Sequence, residues 1–160
     1  KQSSTVGVPS GWQTFTSSKY GYSLQHPDGW TVDESQFESK QEIRVTSPNK
    51  DAVLRINNFI DKAVNSPEAI KASIGEFEKK MRAEPGLTVT QYKDGVEGKT
   101  GGLIAAGEQT INGEQYVFEN RGLLGTSGKI LIYHGVVKKS VADQYTGVIT
   151  KLIEGFSLEE

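Results

Sequence analysis

The sequence predicts an α+β domain in which helices pack on an antiparallel β-sheet, and three observations favour this class. Short segments of alternating apolar and polar residues are separated by tight-turn residues. One helix with a continuous apolar stripe interrupts these strands, and a second such helix closes the chain. Strands, helix, strands and helix in this order are typical of helices packed on one antiparallel sheet.

Five strands are predicted before the first helix. Pro27-Asp28-Gly29 is a strong turn because proline presets φ, aspartate bonds its own backbone and glycine accepts a positive φ. A second turn is predicted over residues 47–51, which include Pro48. The five predicted strands cover residues 12–16, 22–26, 30–33, 41–46 and 52–60.

The clearest helix is predicted to begin after Ser66 and to end before Pro85-Gly86. Serine is a favourable N-cap, and Pro67 suits the first helical position because its missing N–H has no partner there in any case. Apolar residues then recur at spacings of four, three and four, which predicts one buried stripe formed by Ile70, Ile74, Phe77 and Met81.

The second half of the chain predicts a meander of antiparallel strands. Residues 87–92 alternate as a strand, and the glycine-rich segment 95–102 is predicted to be a loop or an irregular edge. Asn112-Gly113 indicates a type I′ hairpin between strands 103–111 and 114–124. A second tight turn at residues 125–128 leads into a strand over residues 129–137.

The last element is predicted to be a helix with Ser140 as its N-cap and Asp143 in the capping-box position. Gly155 is expected near its C-terminal end. Its predicted buried face consists of Val141, Tyr145, Val148, Ile149, Leu152 and Phe156.

Chain length, net charge and hydropathy limit the possible domain organisation and function. A chain of 160 residues suits one domain, so residues 12–160 are predicted to form a single domain after a small, polar, flexible linker at residues 1–11. A net charge of −2 leaves no basic excess to hold nucleic acid. No apolar run approaches the ~20 residues of a membrane-spanning helix.

Catalytic motifs are sparse. The chain has no cysteine, which excludes thiol nucleophiles and cysteine-based zinc sites, and it has no Gly-x-Ser-x-Gly elbow. Gly98-Lys99-Thr100 resembles the end of a phosphate-binding loop, but Lys93 stands where the first glycine would be and a strand follows instead of a helix. We therefore predict a protein that is not an enzyme and that holds no cofactor and no metal.

The two histidines are too few for an ordinary His-based metal site. His26 precedes a turn and is predicted to face solvent or to replace a packed aromatic residue. A two-residue turn at Thr126-Ser127 predicts that Glu119 lies opposite His134 and that Arg121 shares their sheet face. A carboxylate beside the imidazole would favour the protonated form of His134.

Glu119, Arg121 and His134 are therefore a candidate binding patch for an anionic group or a metal. The alternative is a cross-strand ion pair that satisfies its own partners, which is common on exposed sheet faces and contributes little stability.

Two segments resemble the PsbP-like proteins, named after an extrinsic subunit of the oxygen-evolving photosystem. They are Tyr20-Gly-Tyr-Ser-Leu-Gln-His-Pro-Asp-Gly-Trp30 and the closing Ile149-Thr-Lys-Leu-Ile-Glu-Gly-Phe-Ser-Leu158. His26 departs from the family pattern, which usually has an aromatic residue there. The resemblance implies a twisted antiparallel sheet between helices, an α-β-α sandwich. It transfers no functional residue, because the matching Pro27, Gly29 and Trp30 suit a structural role.

The family includes lumenal proteins of the thylakoid, bacterial lipoproteins and a nuclear Ran-binding protein, all binding or assembly factors. The resemblance thus implies an extracytoplasmic binding domain with a protein partner or a membrane-associated complex, tethered through residues that precede Lys1. Two alternatives stay open. One is an intracellular protein-interaction module similar to the Ran-binding relative, and the other is a small metal-dependent or hydrolytic enzyme that uses the His134 face.

Overall fold

The computed structural model describes residues 10–158, which form ten β-strands and three α-helices. The predicted linker, residues 1–11, lies outside the described residues except for its last two positions. The strands are β1 (Trp12–Thr16), β2 (Tyr22–Pro27), β3 (Thr31–Asp33), β4 (Glu42–Thr46), β5 (Ala52–Ile60), β6 (Leu87–Glu97), β7 (Thr100–Ile111), β8 (Glu114–Gly125), β9 (Lys129–Lys138) and β10 (Ser157–Leu158). The helices are α1 (Phe37–Lys40), α2 (Pro67–Ala83) and α3 (Ala142–Glu154).

The strands form two antiparallel sheets. The large sheet has seven strands in the order β3-β4-β5-β9-β8-β7-β6, and the small sheet has the order β1-β2-β10. The predicted α+β class with an antiparallel sheet is confirmed, and the five strands predicted before α2 are all present. The short helix α1 and the two-residue strand β10 have no clear signal in the sequence.

The large sheet separates two hydrophobic cores. Alternate residues of β9 show this directly, because Tyr133 and Val137 belong to the core under α3 whereas Ile130 belongs to the core under α2. We call these two surfaces of the sheet the α3 face and the α2 face. Helices on opposite faces of one sheet give the α-β-α layering that the resemblance implies.

Helix α2 begins as predicted. Ser66 Oγ accepts a hydrogen bond from Ala69 N at 3.1 Å, and Pro67 occupies the first turn. Ile70, Ile74 and Met81 are buried against β6, β7 and β8, and Phe77 is partly buried beside them.

The predicted N-cap of the last helix is wrong. Ser140 lies inside a 3₁₀ turn at Lys139–Val141, and α3 begins at Ala142 without a side-chain cap. The 3₁₀ turn tightens the entry to the helix, so Ser140 cannot adopt the extended backbone that an N-cap residue needs. The predicted apolar face is confirmed, and Gly155 is the C-cap.

The glycine-rich segment 95–102 is a regular β-hairpin, so the predicted loop is wrong. Gly98, at a φ of +58°, forms a two-residue turn with Lys99 between β6 and β7. Gly101 is required by close packing, since a Cβ there would lie 2.5 Å from Ile70 Cγ2 of helix α2. Glycine here allows the helix to approach the sheet and does not loosen the strand.

The hairpin between β8 and β9 differs from the predicted register by one residue. Glu119 lies opposite Gly135, and Asn120 lies opposite His134. The loop is one residue longer than the predicted Thr126-Ser127 turn, because Gly128 adopts a φ of +86° and its N–H bonds back to Gly125 O at 2.9 Å. A tight turn followed by a left-handed glycine is the usual three-residue hairpin loop.

Candidate functional site

The structure separates the three residues of the predicted binding patch. Glu119 and Arg121 lie on the α3 face, whereas His134 lies on the α2 face, because the side chains of a strand alternate and the register places Asn120 opposite His134. The predicted cross-strand contact between Glu119 and His134 is therefore wrong. A one-residue change of register moves a side chain to the other face of a sheet.

Glu119 and Arg121 form an ion pair within one strand. Arg121 Nε donates to Glu119 Oε2 at 2.7 Å, and Thr150 Oγ1 of helix α3 donates to Glu119 Oε1 at 3.1 Å. Both side chains are only partly exposed, 24% for Arg121 and 21% for Glu119. The contacts show how Glu119 connects the sheet to α3; binding of an anionic group by this pair stays a prediction.

His134 is a partly buried residue on the α2 face, beside the core under α2. Its Nδ1 donates to Asn120 Oδ1, its ring stacks on Phe118, and Asn120 Nδ2 in turn contacts Met81 Sδ at 3.3 Å. Burial, and to a lesser extent the positive charge of Arg55, lower the pKa of His134 to about 4. The shift is opposite to the one expected beside a carboxylate.

His26 is buried, at 7% exposure. Its Nδ1 lies 2.8 Å from the backbone oxygen of Pro27, which suits a ring that donates a hydrogen bond to the turn. The sequence left two interpretations of His26 open, and its burial agrees with a packed side chain better than with one that faces solvent. Within residues 10–158, no group of three His, Asp or Glu side chains lies close enough to hold a metal ion.

An open groove lies on the α3 face of the large sheet. Helix α3 covers the α3 face over β4, β5 and β9 and reaches Glu119 of β8, but it leaves the face exposed over β6, β7 and the C-terminal part of β8. The groove between the end of α3 and these strands has a volume of about 930 Å³. Its principal lining residues, which define the open groove below, are Lys93, Gly95, Gly102, Ile104, Arg121, Leu123, Tyr133, Ile153 and Phe156.

The floor of the open groove is mainly apolar and has little side-chain volume at its outer edge. Gly95 pairs with Gly102, and Gly102 pairs with Leu123 on the next strand. A Cβ at Gly95 would have no atom within 4 Å, so the space above this residue is unoccupied by the rest of the described chain. Leu123 is 54% exposed and Ile104 is 47% exposed, and they are diagonal neighbours on adjacent strands, so together they form an exposed aliphatic patch.

Three polar side chains, those of Lys93, Arg121 and Tyr133, lie in one cross-strand row of the open groove. Lys93, Ile104, Arg121 and Tyr133 are neighbours across four strands. Burial raises the pKa of the Tyr133 phenol to about 12, although the nearby Arg121 opposes this shift. Tyr133 is thus a neutral hydroxyl at neutral pH. An apolar floor with a few polar groups is typical of a binding surface.

Neither histidine lines the open groove, and the carboxylates that do are those of Asp94, Glu97 and Glu154. In the part of the chain that the structure describes, no helix is long and apolar enough to cross a membrane.

Comparison with known proteins gives a fold but no close relative. No family model matches the sequence, and no curated protein matches it. The solution structure of CyanoP, the cyanobacterial PsbP of Synechocystis sp. PCC 6803, has a TM-score of 0.59 and 14% identity, and the match covers 99% of this chain and 98% of that chain. The fold is PsbP-like.

Two further structures share this PsbP-like fold. LpqN of Mycobacterium tuberculosis, which is involved in cell envelope biogenesis, has a TM-score of 0.56 and 13% identity over 93% of this chain and 92% of that chain. The Saccharomyces cerevisiae Ran-binding protein Mog1p has a TM-score of 0.52 and 11% identity over 92% of this chain and 95% of that chain. Identities this low establish the fold alone, so the site must be argued from this chain.

Sequence reasoning missed the open groove. Its signal is present in β8, where Glu119, Arg121 and Leu123 alternate as a half-polar strand face, in contrast to the buried alternation of β5. The position of α3 decides which strands are covered, and no local pattern encodes that position.

Proposed function

We propose that this chain is a non-enzymatic binding domain that recognises a protein partner through the open groove and works outside the cytoplasm, attached to a membrane. The observation that carries the proposal is the pair of exposed aliphatic side chains, Ile104 and Leu123, beside the partly buried Arg121. Aliphatic, aromatic and arginine side chains around a shallow depression are typical of the centre of a protein interface.

The geometry of the groove favours a macromolecular partner. It is open to solvent along the sheet and is bounded by Phe156 and Ile153 on one side only. Arg121 is already neutralised by Glu119, so a partner would not have to supply a charge to bury it. Binding would then depend mainly on burial of apolar surface by Ile104 and Leu123.

The extracytoplasmic part of the proposal is supported by two structures of the same fold. CyanoP is a cyanobacterial PsbP, and LpqN is involved in cell envelope biogenesis. Mog1p, which binds Ran, represents the intracellular alternative. Fractionation of cells that express the full gene product would separate these two: recovery with the membrane or envelope fraction supports the proposal, and recovery in the cytosol contradicts it.

The partner-binding surface can be tested by photo-crosslinking in the organism of origin. A photoreactive amino acid at Leu123 should give a discrete protein adduct, whereas the same probe at Ile111, another exposed aliphatic residue outside the groove, should not. The adduct should be lost in an Ile104→Asp background and should persist in an Ile111→Asp background.

Equal adducts from both probe positions would contradict a specific role for the groove. Because Ile104 and Leu123 are exposed, the substitutions should leave the thermal unfolding midpoint almost unchanged, and this measurement separates loss of binding from loss of folding.

The absence of an enzymatic activity stays a prediction. It is supported by the contacts of His134, which is partly buried and whose ring bonds to an amide and not to a carboxylate. This arrangement does not favour the alternative of a hydrolytic or metal-dependent enzyme on the His134 face.

A further inference from the structure

The outer edge of β6 is the longest unpaired backbone of the large sheet. Within residues 10–158, no strand pairs with this edge. β6 has 11 residues, whereas β3 at the opposite edge of the sheet has three. Long edge strands present free N–H and C=O groups that can pair with another chain, and most proteins shorten, bend or cover them. A bulge between Val89 and Gln91 bends only the beginning of β6.

We propose that this edge pairs, antiparallel, with the same edge of a second copy of the chain, around a twofold axis at Gly95. The resulting homodimer has one continuous sheet, with both open grooves on the same face. The proposal is independent of the identity of any groove partner.

The backbone groups of β6 are correctly placed for this register. Glu97 and Thr100 flank the two-residue turn, so they exchange their backbone hydrogen bonds with each other. Hydrogen-bonding direction alternates along an antiparallel strand. The backbone N–H and C=O groups of Gly95 and Lys93 therefore point toward β7, and those of Asp94 and Val96 point toward the outer edge. With Gly95 on the axis, Asp94 lies opposite Val96 of the second copy, so outward-directed groups meet outward-directed groups.

The charges of β6 complement each other in the same register. Lys93 lies opposite Glu97 of the second copy, and the twofold axis repeats this pair. Both residues are exposed on the α3 face, and neither forms a salt bridge to another residue in the described part of the chain. A register shifted by two residues toward the turn would instead bring Lys93 opposite Lys99, which is unfavourable.

Gly95 suits a position on the axis. It is exposed, and no atom lies within 4 Å of a Cβ built there. Its backbone geometry is that of an ordinary strand residue, so neither a turn nor internal packing requires a glycine. A glycine inside a strand often marks the close approach of another backbone.

A single cysteine tests the position of the axis. The chain has no cysteine of its own, so Gly95→Cys introduces the only thiol. Residues opposite each other in a non-hydrogen-bonded pair have Cα atoms about 4.5 Å apart, which lies within the range that a disulfide spans. We expect mild oxidation to give a disulfide-linked dimer at low micromolar protein concentration.

Gly147→Cys on helix α3 is the matched control, because its Cβ would also meet no atom within 4 Å. The proposal is overturned if the Gly95→Cys protein forms disulfide dimers no faster than the Gly147→Cys protein. It is equally overturned if the Gly95 thiol is captured by a different protein while self-linkage is absent.

Charge reversal tests the register. Lys93→Glu or Glu97→Lys alone turns two attractive pairs into two repulsive ones, and we expect either variant to dimerise about tenfold more weakly in sedimentation experiments. An equimolar mixture of the two variants restores both attractive pairs and should form heterodimers as tightly as the wild type. A wild-type protein that stays monomeric at millimolar concentration, or variants that dimerise as well as it does, would refute the proposal.

Discussion

The α3 face of the large sheet has a covered region and an open region that differ in how their side chains are used. Under α3, Gly135 of β9 lies between the helix and β5. A Cβ on Gly135 would lie 2.5 Å from Ile149 Cγ2 of the helix and 3.7 Å from Leu54 Cδ1. Over β6, β7 and β8, Leu123 and Gly95 belong to the same sheet face but have no covering element among the described residues. The same residue types are therefore packed in one region and left exposed in the other.

This difference has an energetic meaning. Burying a leucine side chain is worth roughly 1.5–3 kcal/mol relative to leaving it exposed. Because Leu123 and Ile104 are exposed, the open region lacks this stabilisation at both positions. Burial in the covered region therefore contributes more to the stability of the fold. Residues retained at an energetic disadvantage are candidates for function, which is why the open groove carries the proposed function.

Matched truncations of two leucines should show the largest contrast. Leu54→Ala removes a fully buried side chain, and we expect the free energy of unfolding to fall by about 2–5 kcal/mol. Leu123→Ala should change it by less than about 0.5 kcal/mol, because the side chain is 54% exposed. Urea denaturation of both variants measures the difference, and similar losses at the two positions would show that the groove is covered in solution.

Acid should destabilise the core under α2 through His134. Its pKa is about 4 in the folded protein and near 6.5 in the unfolded chain, so the unfolded chain binds more protons between these values. Stability that is fully present above pH 6.5 is lost as the pH falls toward 4, by up to about 3 kcal/mol. The open groove contains no histidine and should not contribute in this window.

Unfolding measured at pH 7 and pH 4.5 tests this prediction. A His134→Gln variant removes the titrating group and keeps an amide that can bond to Asn120, so its stability should depend less on pH than that of the wild type. The His26→Gln variant serves as a control at the other histidine of the chain. An unchanged pH dependence in the His134→Gln protein would mean that other groups control acid unfolding.

Two hairpins show how much of the fold the sequence could predict. Asn112-Gly113 encodes its type I′ turn directly, with φ angles of +50° and +80°, and the pairing of Ala106 with Glu119 follows from it. In the segment Gly125 to Gly128, a three-residue loop places its positive φ at Gly128, whereas a two-residue loop would need a positive φ at Thr126 or Ser127, which these residues disfavour. Glycine at position 128 is therefore a local signal for the longer loop, and packing requires the same residue, since Gly128 approaches Asp61 O so closely that a Cβ would lie 2.7 Å away.

The candidate site depended on that choice. Glu119 and Arg121 were predicted to share a face, and the structure confirms it; His134 was assigned to the same face and lies on the other. The helices and most strands follow from local patterns, whereas the extent of the open groove depends on where α3 crosses the sheet. That crossing is set by long-range packing of Ile149, Leu152 and Ile153, which periodicity alone cannot locate.

Alanine substitutions at two glycines of the α3 face, Gly135 and Gly95, test the difference between the covered and open regions with the smallest change of side chain. At Gly135 a Cβ would lie 2.5 Å from Ile149 Cγ2, so Gly135→Ala should force α3 away from β9 and lower the free energy of unfolding by about 1–3 kcal/mol. At Gly95 the space is empty and the backbone is an ordinary strand, so Gly95→Ala should be neutral or should stabilise the fold by up to about 1 kcal/mol, because alanine restricts the unfolded chain. Denaturation should be measured at a protein concentration low enough to keep the chain monomeric, so that any association through β6 does not contribute. A loss at Gly95 comparable to that at Gly135 would show that another part of the protein packs over β6, and the open groove would then be part of the interior.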